Sequence, residues 1–249
     1  MSAAVAKIGR QYLPRGWGDF LRQVAIWFGF VFAYQIVRGI ADRDPTRAFE
    51  NGLRVIGWEE RVTDLFEVTF QNLVSSSHFL TFLVSWTYWN SEFTVVGLAL
   101  LWVYLRRHEH FHRFRNWILL ANVIGLAGYV ALPTAPPRYF PTFGFGDTLA
   151  QFGGLNHGSG LVELASNPYA AMPSLHSADA LIVGITLAMI CRRWWAKALW
   201  RLWPSWVWFS VMATGNHFWL DCVAGIAVAM MSALVVHRHR IFRPSAAAV

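Results

Sequence analysis

Polar and apolar positions along this chain fall into blocks, with long uncharged stretches separated by short clusters of arginine. A helix needs about 20 residues to cross a hydrocarbon core of about 30 Å, so block length sorts crossings from other elements. Residues 20–37 form the first apolar block, entered through Lys7, Arg10, Arg15 and Arg22. Residues 38–67 are charged but keep Phe49, Leu53, Ile56, Val62, Leu65 and Phe66 at near-helical spacing. That pattern predicts an amphipathic helical segment lying on the membrane. The next block, 68–105, is interrupted by one charge, Glu92. Its second part, 93–105, would cover only about 20 Å, too little for a span. A single crossing over 79–105 is therefore predicted, with the residues before it as an interfacial approach. Residues 117–132, 174–190, 202–215 and 218–236 bring the total to six transmembrane helices. No internal repeat or separate soluble domain is visible. The expected fold is an all-α integral membrane protein, one membrane domain over residues 1–249.

Composition agrees. With 55% hydrophobic and 14% charged residues the chain is too apolar for a soluble domain of its length. The net charge of +7 does not call for a nucleic-acid partner, because most basic residues sit between apolar runs, where topology places them. Putting the N-terminus, 106–115, 192–201 and the C-terminal tail on one face collects 15 of the 21 arginines and lysines there. Both termini are then cytoplasmic. On that layout Arg138, His176, His217 and Asp221 all emerge on the opposite face. Two lysines against 19 arginines suggest a GC-rich bacterial genome, and so a plasma membrane. The basic segment 1–22 is followed by no small-residue cleavage site, so no secretory signal peptide is expected. Cys191 and Cys222 fall at opposite faces, too far apart for a bond that needs Cα atoms within about 7 Å; free thiols are expected.

Candidate chemistry gathers at Thr214-Gly215-Asn216-His217-Phe218-Trp219-Leu220-Asp221, at the mouth of the last apolar run. His217 and Asp221 are four apart, on one face if the helix has begun. An acid beside an apolar span is costly and reads first as a functional site; the plain alternative is a polar cap at the headgroup level. Glu92 has two readings, facing the same site or merely interrupting a helix. His157, in the glycine-rich loop 140–172, reads as solvated, and His108, His110 and His112 as part of a headgroup-facing basic loop. The tryptophans read mostly as interfacial anchors. Zinc held by His176, His217 and Asp221 is disfavoured, since no helical His-x-x-x-His pair is present; neither a metal nor a cofactor is expected.

Pro173-Ser174-Leu175-His176, followed about forty residues later by His217-x-x-x-Asp221, resembles the type-2 phosphatidic acid phosphatase superfamily. Leu175, where the superfamily usually has glycine, and the upstream Ala135-Pro136-Pro137-Arg138 are similar to its inositol phosphorylceramide synthase-like branch. The motif core is residues 133–225. The resemblance implies six transmembrane helices, a site facing away from the cytoplasm, and transfer through a phosphohistidine. Lipid-linked phosphate is the implied substrate, with water or a polyol alcohol as acceptor. It makes His217 the nucleophile, Asp221 its orienting partner, His176 the general acid, and Arg138 and Ser174 phosphate binders.

The residue types suit those roles. An imidazole attacks phosphorus only when neutral, and an acceptor on its other nitrogen fixes the tautomer. Expelling a lipid alkoxide needs a proton donor such as His176. The amides of Ser174 and Leu175 would be open donors at the first turn of the fourth span. Asp179, one turn after His176, is a candidate partner for it, and Asn216 a further auxiliary. Two positions depart from the superfamily's pattern: Ala131 stands where it has lysine, and Val211 where it has arginine. Arg38, Arg43 and Arg47 are candidates to supply the missing charge. Rival readings are a membrane carrier using the same cluster and a catalytically inactive scaffold. The carrier lacks the paired Gly/Pro-broken halves it would want.

Overall fold

The computed structural model describes residues 13–41, 44–151 and 169–241; Arg43 and His157 lie outside them. Among the described residues there are nine α-helices and no strand. They are α1 (Gly16–Ala41), α2 (Pro45–Glu59), α3 (Phe66–Ser75), α4 (His78–Ser91), α5 (Thr94–Arg106), α6 (His108–Ala131), α7 (Leu175–Ile190), α8 (Trp194–Ala213) and α9 (Trp219–Ile241). Gly16–Val37, His108–Ala131 and Trp219–Arg238 are long and apolar enough to cross a membrane, while α5 and α7 are apolar but shorter. Leu21, Phe28, Phe32 and Ile36 on α1, and Met230, Met231, Leu234 and Val235 on α9, are exposed. Apolar surface this continuous is what lipid covers.

Helix α7 is the hub. Eleven of its 16 residues are buried, and it packs on α4, α5, α6, α8 and α9. A helix apolar all round belongs inside, and α7 is where the sequence put its least polar short run. Its N-terminal end docks on α6 at Gly125 and Gly128. A Cβ on Gly128 would lie 2.6 Å from Pro173 Cδ, and one on Gly125 would overlap the Leu175 side chain. The leucine that replaces the usual glycine at 175 thus fills a slot that α6 leaves open. Tryptophans tie other helices together: Trp117 Nε1 donates to Ala229 O at 2.9 Å, and Trp206 Nε1 to Thr87 Oγ1 at 2.9 Å. Those two are internal struts rather than interfacial anchors. Cys191 and Cys222 are free thiols.

The structure adds detail to three expectations. The run 79–105 is two helices, α4 and α5, separated at Glu92–Phe93. Backbone angles there stay near helical (φ −82°, ψ −48° at Glu92), so the chain bends rather than reversing. A buried acid needs a polar partner, and the bend brings Glu92 to His176. The interfacial approach before this run contains a regular helix, α3. The amphipathic helix α2 turns its buried stripe (Ala48, Asn51, Gly52, Val55, Ile56, Glu59) onto the protein's own loops. Asn51 Nδ2 donates to Pro133 O at 2.8 Å, and Ala135 N to Ala48 O at 2.9 Å. Helix α2 is therefore a clamp over the 133–140 stretch.

Candidate active site

Three stretches build the site, and backbone hydrogen bonds set their register. After α6 the chain runs through Pro133–Arg138, and Thr134 pairs with Ala170 in an isolated parallel bridge. Ala171 N donates to Thr134 O at 3.1 Å, which fixes where the Ala171 carbonyl points. At the end of α8, Gly215 adopts φ +70°, a left-handed turn that a side chain would strain, and its amide reaches Met212 O at 2.9 Å. The amides of Asn216 and His217 both donate to Val211 O, at 3.1 and 3.2 Å. Arg138 N donates to Gly215 O at 2.9 Å, joining the first stretch to the third. Ser174 N donates to Asp221 O at 3.0 Å, joining the second to the third.

His217 Nδ1 lies 2.8 Å from Ala171 O and 3.5 Å from Asp221 Oδ2. A carbonyl only accepts, so Nδ1 carries the proton and Nε2 offers its lone pair. The closest partner of the nucleophile candidate is thus a backbone carbonyl, not the carboxylate expected to orient it. Asp221 is fully buried, and its Oδ2 also accepts from Phe218 N at 2.8 Å, capping the start of α9. Asp221 thus caps the start of α9 and lies beside His217 at the same time.

His176 stacks on Tyr88, with ring centroids 4.6 Å apart and planes 13° apart. Its Nε2 is 3.2 Å from Tyr88 O and 3.5 Å from Glu92 Oε2, two acceptors on one nitrogen. Glu92 therefore faces the site, which decides between its two readings. The rings of His176 and His217 are 5.5 Å apart. Asp179 does not reach His176; it accepts from Asn122 Nδ2 at 2.8 Å, a buried tie between α7 and α6.

Arg138 is nearly buried, its guanidinium 4.9 Å above the Tyr139 ring and hydrogen-bonded to Asn216 Oδ1. Asn216 is held in turn by Thr214 Oγ1 at 2.9 Å, so this auxiliary residue aims the arginine. Ser174 sits elsewhere. Its hydroxyl accepts from Ser177 N at 3.3 Å as the cap of α7, and its amide is committed to Asp221. It does not line the cavity that Arg138, His176, Asn216 and His217 share, whose volume is about 200 Å³. Tyr34, Tyr88, Trp89 and Tyr129 form much of the remaining wall. Arg138 is the one Arg or Lys on that wall among the described residues, and Glu92 the one acid. Arg47 donates to Ala131 O at 2.9 Å, at the position of the superfamily's lysine, but its side chain is exposed and off the wall. The Arg38 and Arg43 side chains lie outside the described residues. Among those residues no group of three or more His, Cys, Asp or Glu could hold a metal.

Sequence reasoning missed two buried acids that support the site. Glu67 Oε1 accepts from Trp219 N at 2.8 Å and Glu59 Oε1 from Leu220 N at 3.0 Å. With Asp221 on Phe218 N, three successive amides at the start of α9 each meet a carboxyl group. Burial, and then the charge of Glu67, pushes the Glu59 carboxyl up to about 9; burial also raises that of Glu67. The available signal was Glu59 lying three and four residues after Ile56 and Val55, an acid on the apolar stripe of α2.

The sequence profile of the PAP2 superfamily matches residues 53–235 of this chain. A phosphoinositol dihydroceramide synthase from Bacteroides thetaiotaomicron is 30% identical over 148 residues, covering 54% of this chain and 48% of that protein. An inositol phosphorylceramide synthase from Candida albicans is 28% identical over 122 residues, 44% of this chain and 26% of its own length. The chain therefore spans about half or less of the relatives it matches. No solved structure matches it.

Proposed function

The chain belongs to the PAP2 superfamily, and from that premise we propose that it is a membrane-embedded lipid phosphotransferase working through a phosphohistidine at His217. The observation that carries this reading is the pinning of His217 Nδ1 on Ala171 O, which leaves Nε2 as a lone pair on a cavity shared with His176 and Arg138. Nε2 attacks phosphorus, the P–O bond to the lipid breaks, and the departing alkoxide takes a proton from His176. Asp221, 3.5 Å from Nδ1, balances the positive charge that develops on the attacking ring. An acceptor hydroxyl then attacks the same phosphorus, the P–N bond breaks, and His176 recovers a proton. Arg138 neutralises the phosphoryl oxygens throughout, held in place by Asn216. Ser174 serves by tying α7 to Asp221 rather than by touching phosphate.

The charge on the cavity wall favours a phosphodiester donor. One arginine set against one glutamate suits a single negative charge better than a phosphomonoester's, which is about −1.5 to −2 at neutral pH. Both relatives above are named as synthases that build an inositol phosphoryl lipid, which agrees with transfer to an alcohol rather than to water. The layout proposed with this chemistry has six crossings, both termini in the cytoplasm and the site on the outer face of a bacterial plasma membrane. The test is mass spectrometry of products from the purified protein, given phosphatidic acid or an inositol phosphodiester lipid, with and without dihydroceramide. Headgroup transfer from the diester to dihydroceramide supports the reading. Turnover of phosphatidic acid alone, with release of inorganic phosphate, would replace it with a phosphatase.

A further inference from the structure

A groove lies between α1 and α5, floored by α6, with a volume of about 410 Å³, twice that of the site cavity. Its wall is almost wholly hydrocarbon and aromatic, from residues such as Phe20, Trp27, Leu98 and Leu101. Phe93 belongs to both walls: it lines the site cavity and the groove, so the two spaces meet at the α4–α5 bend. Helices α1 and α5 run antiparallel along the groove. Tyr34 and Phe93 touch at the site end, with ring centroids 5.8 Å apart, and the Tyr104 hydroxyl donates to Asp19 Oδ2 at 2.9 Å at the other. From Thr94 to Tyr104 the groove wall is about 15 Å long, the depth of one leaflet of a core of about 30 Å. At the far end the Arg115 guanidinium bonds to Gln23 Oε1. Exposed rim residues, among them Phe28, Leu98 and Leu101, leave the groove open sideways to a bilayer.

We propose that this groove holds one hydrocarbon chain of the lipid whose phosphoryl group occupies the site cavity, an assignment that rests on the lipid-phosphate reading above. A chain leaving the bilayer for an equally apolar groove gains little from the hydrophobic effect, so the groove acts by alignment. It sets the angle at which the phosphorus meets His217, and such positioning governs rate more than binding. A second apolar groove, lined by Leu187, Trp195 and Trp200, shares no residue with the site cavity and serves as the internal control.

Gly97 provides the test. It lines the groove, and a Cβ there would meet only Trp27 atoms at 3.9 Å, so Ala fits and Phe fills the space. Gly97→Phe should cut turnover of a long-chain inositol phosphodiester lipid by about 10-fold or more, and leave a short-chain, water-soluble analogue within about 2-fold. Ala196→Phe, on the second groove, should change neither. Equal losses on both donors would overturn the assignment. Independently of any variant, a donor carrying a diazirine along its chain should crosslink wild-type protein at Trp27 and Thr94 rather than at Leu187 or Trp195. Labelling spread evenly over both grooves would also overturn it. If the wild-type protein turns over neither donor, the reaction assigned above fails, and the crosslinks still decide the groove.

Discussion

Both histidines of the cavity set one ring nitrogen against a main-chain carbonyl and a carboxylate, but His217 does so with Nδ1, 2.8 Å from Ala171 O, and His176 with Nε2, 3.2 Å from Tyr88 O. Nδ1 of His217 meets the Ala171 carbonyl, itself fixed by the Thr134–Ala170 bridge. His176 leans on the Tyr88 ring, and Glu92 reaches it from the α4–α5 bend. A carbonyl can only accept, so it imposes one tautomer and one ring direction. A carboxylate tolerates both protonation states of its neighbour. At His217 the carbonyl contact is the shorter one and Asp221 is also engaged by Phe218 N, a setting that suits a nucleophile kept in one form. At His176 the longer carbonyl contact and the Glu92 carboxylate suit a group that gives up a proton and takes it back.

The largest effect that tests this division concerns His176. His176→Ala should lose about 10²–10⁴-fold in forming the phosphoenzyme from a lipid donor, whose alkoxide leaves poorly. It should lose far less with an aryl phosphate, whose leaving group needs little proton. Burst-phase measurement isolates this step from attack by the acceptor. Equal losses on both donors would make His176 a binding residue and erase the contrast between the two walls.

A smaller effect probes the other wall. In a triad whose acid fixes the tautomer, Asp→Asn costs about 10⁴-fold. Here Ala171 O already fixes it, so Asp221→Asn should cost only about 10²-fold, chiefly through lost charge beside the imidazolium. A loss as large as the triad's would show that the carboxylate, not the carbonyl, sets the proton. Single-turnover rates on folded protein separate the two outcomes.

The smallest effect falls on stability. Glu59 titrates near 4.5 when unfolded and is raised to about 9 by burial and by Glu67. Because the folded value is the higher one, the contribution of its protonated form is complete below about pH 4.5 and is lost as pH rises towards 9. Glu59→Gln keeps an acceptor for Leu220 N without a charge to bury. Melting curves across that range should fall with pH in the wild type and fall less in the variant. Parallel curves would mean that Glu59 is not the titrating group.

Much of this was readable in advance, for reasons that differ by element. Helices α1, α6 and α9 announce themselves because bilayer-facing helices need long apolar runs. The histidine–aspartate pair is legible as a short local spacing, although His217 lies two residues before α9 begins. The break at Glu92 stayed hidden because its cause, His176, lies 84 residues away in sequence. Ala171 could not be found at all: its part is played by a carbonyl, and a carbonyl leaves no trace in residue identity. Ser174 departs from the role its motif implies for a related reason. Its motif position is shared with phosphate binders, but here its amide and hydroxyl are taken up by Asp221 and Ser177. Glu59 and Glu67 lie in the charged stretch 38–67, where an acid reads as a polar position of a membrane-surface segment, although Glu59 sits on the buried stripe of α2.

The central claim, that His217 Nε2 becomes bonded to phosphorus during turnover, is open to direct measurement. Rapid quenching with a phosphorus-labelled inositol phosphodiester lipid, followed by peptide mapping, should find an acid-labile, base-stable adduct on His217. The adduct should appear in the burst, build up further in His176→Ala given an aryl phosphate donor, and be absent from His217→Ala. Full turnover by a folded His217→Ala protein, or a label found on another residue, would contradict it.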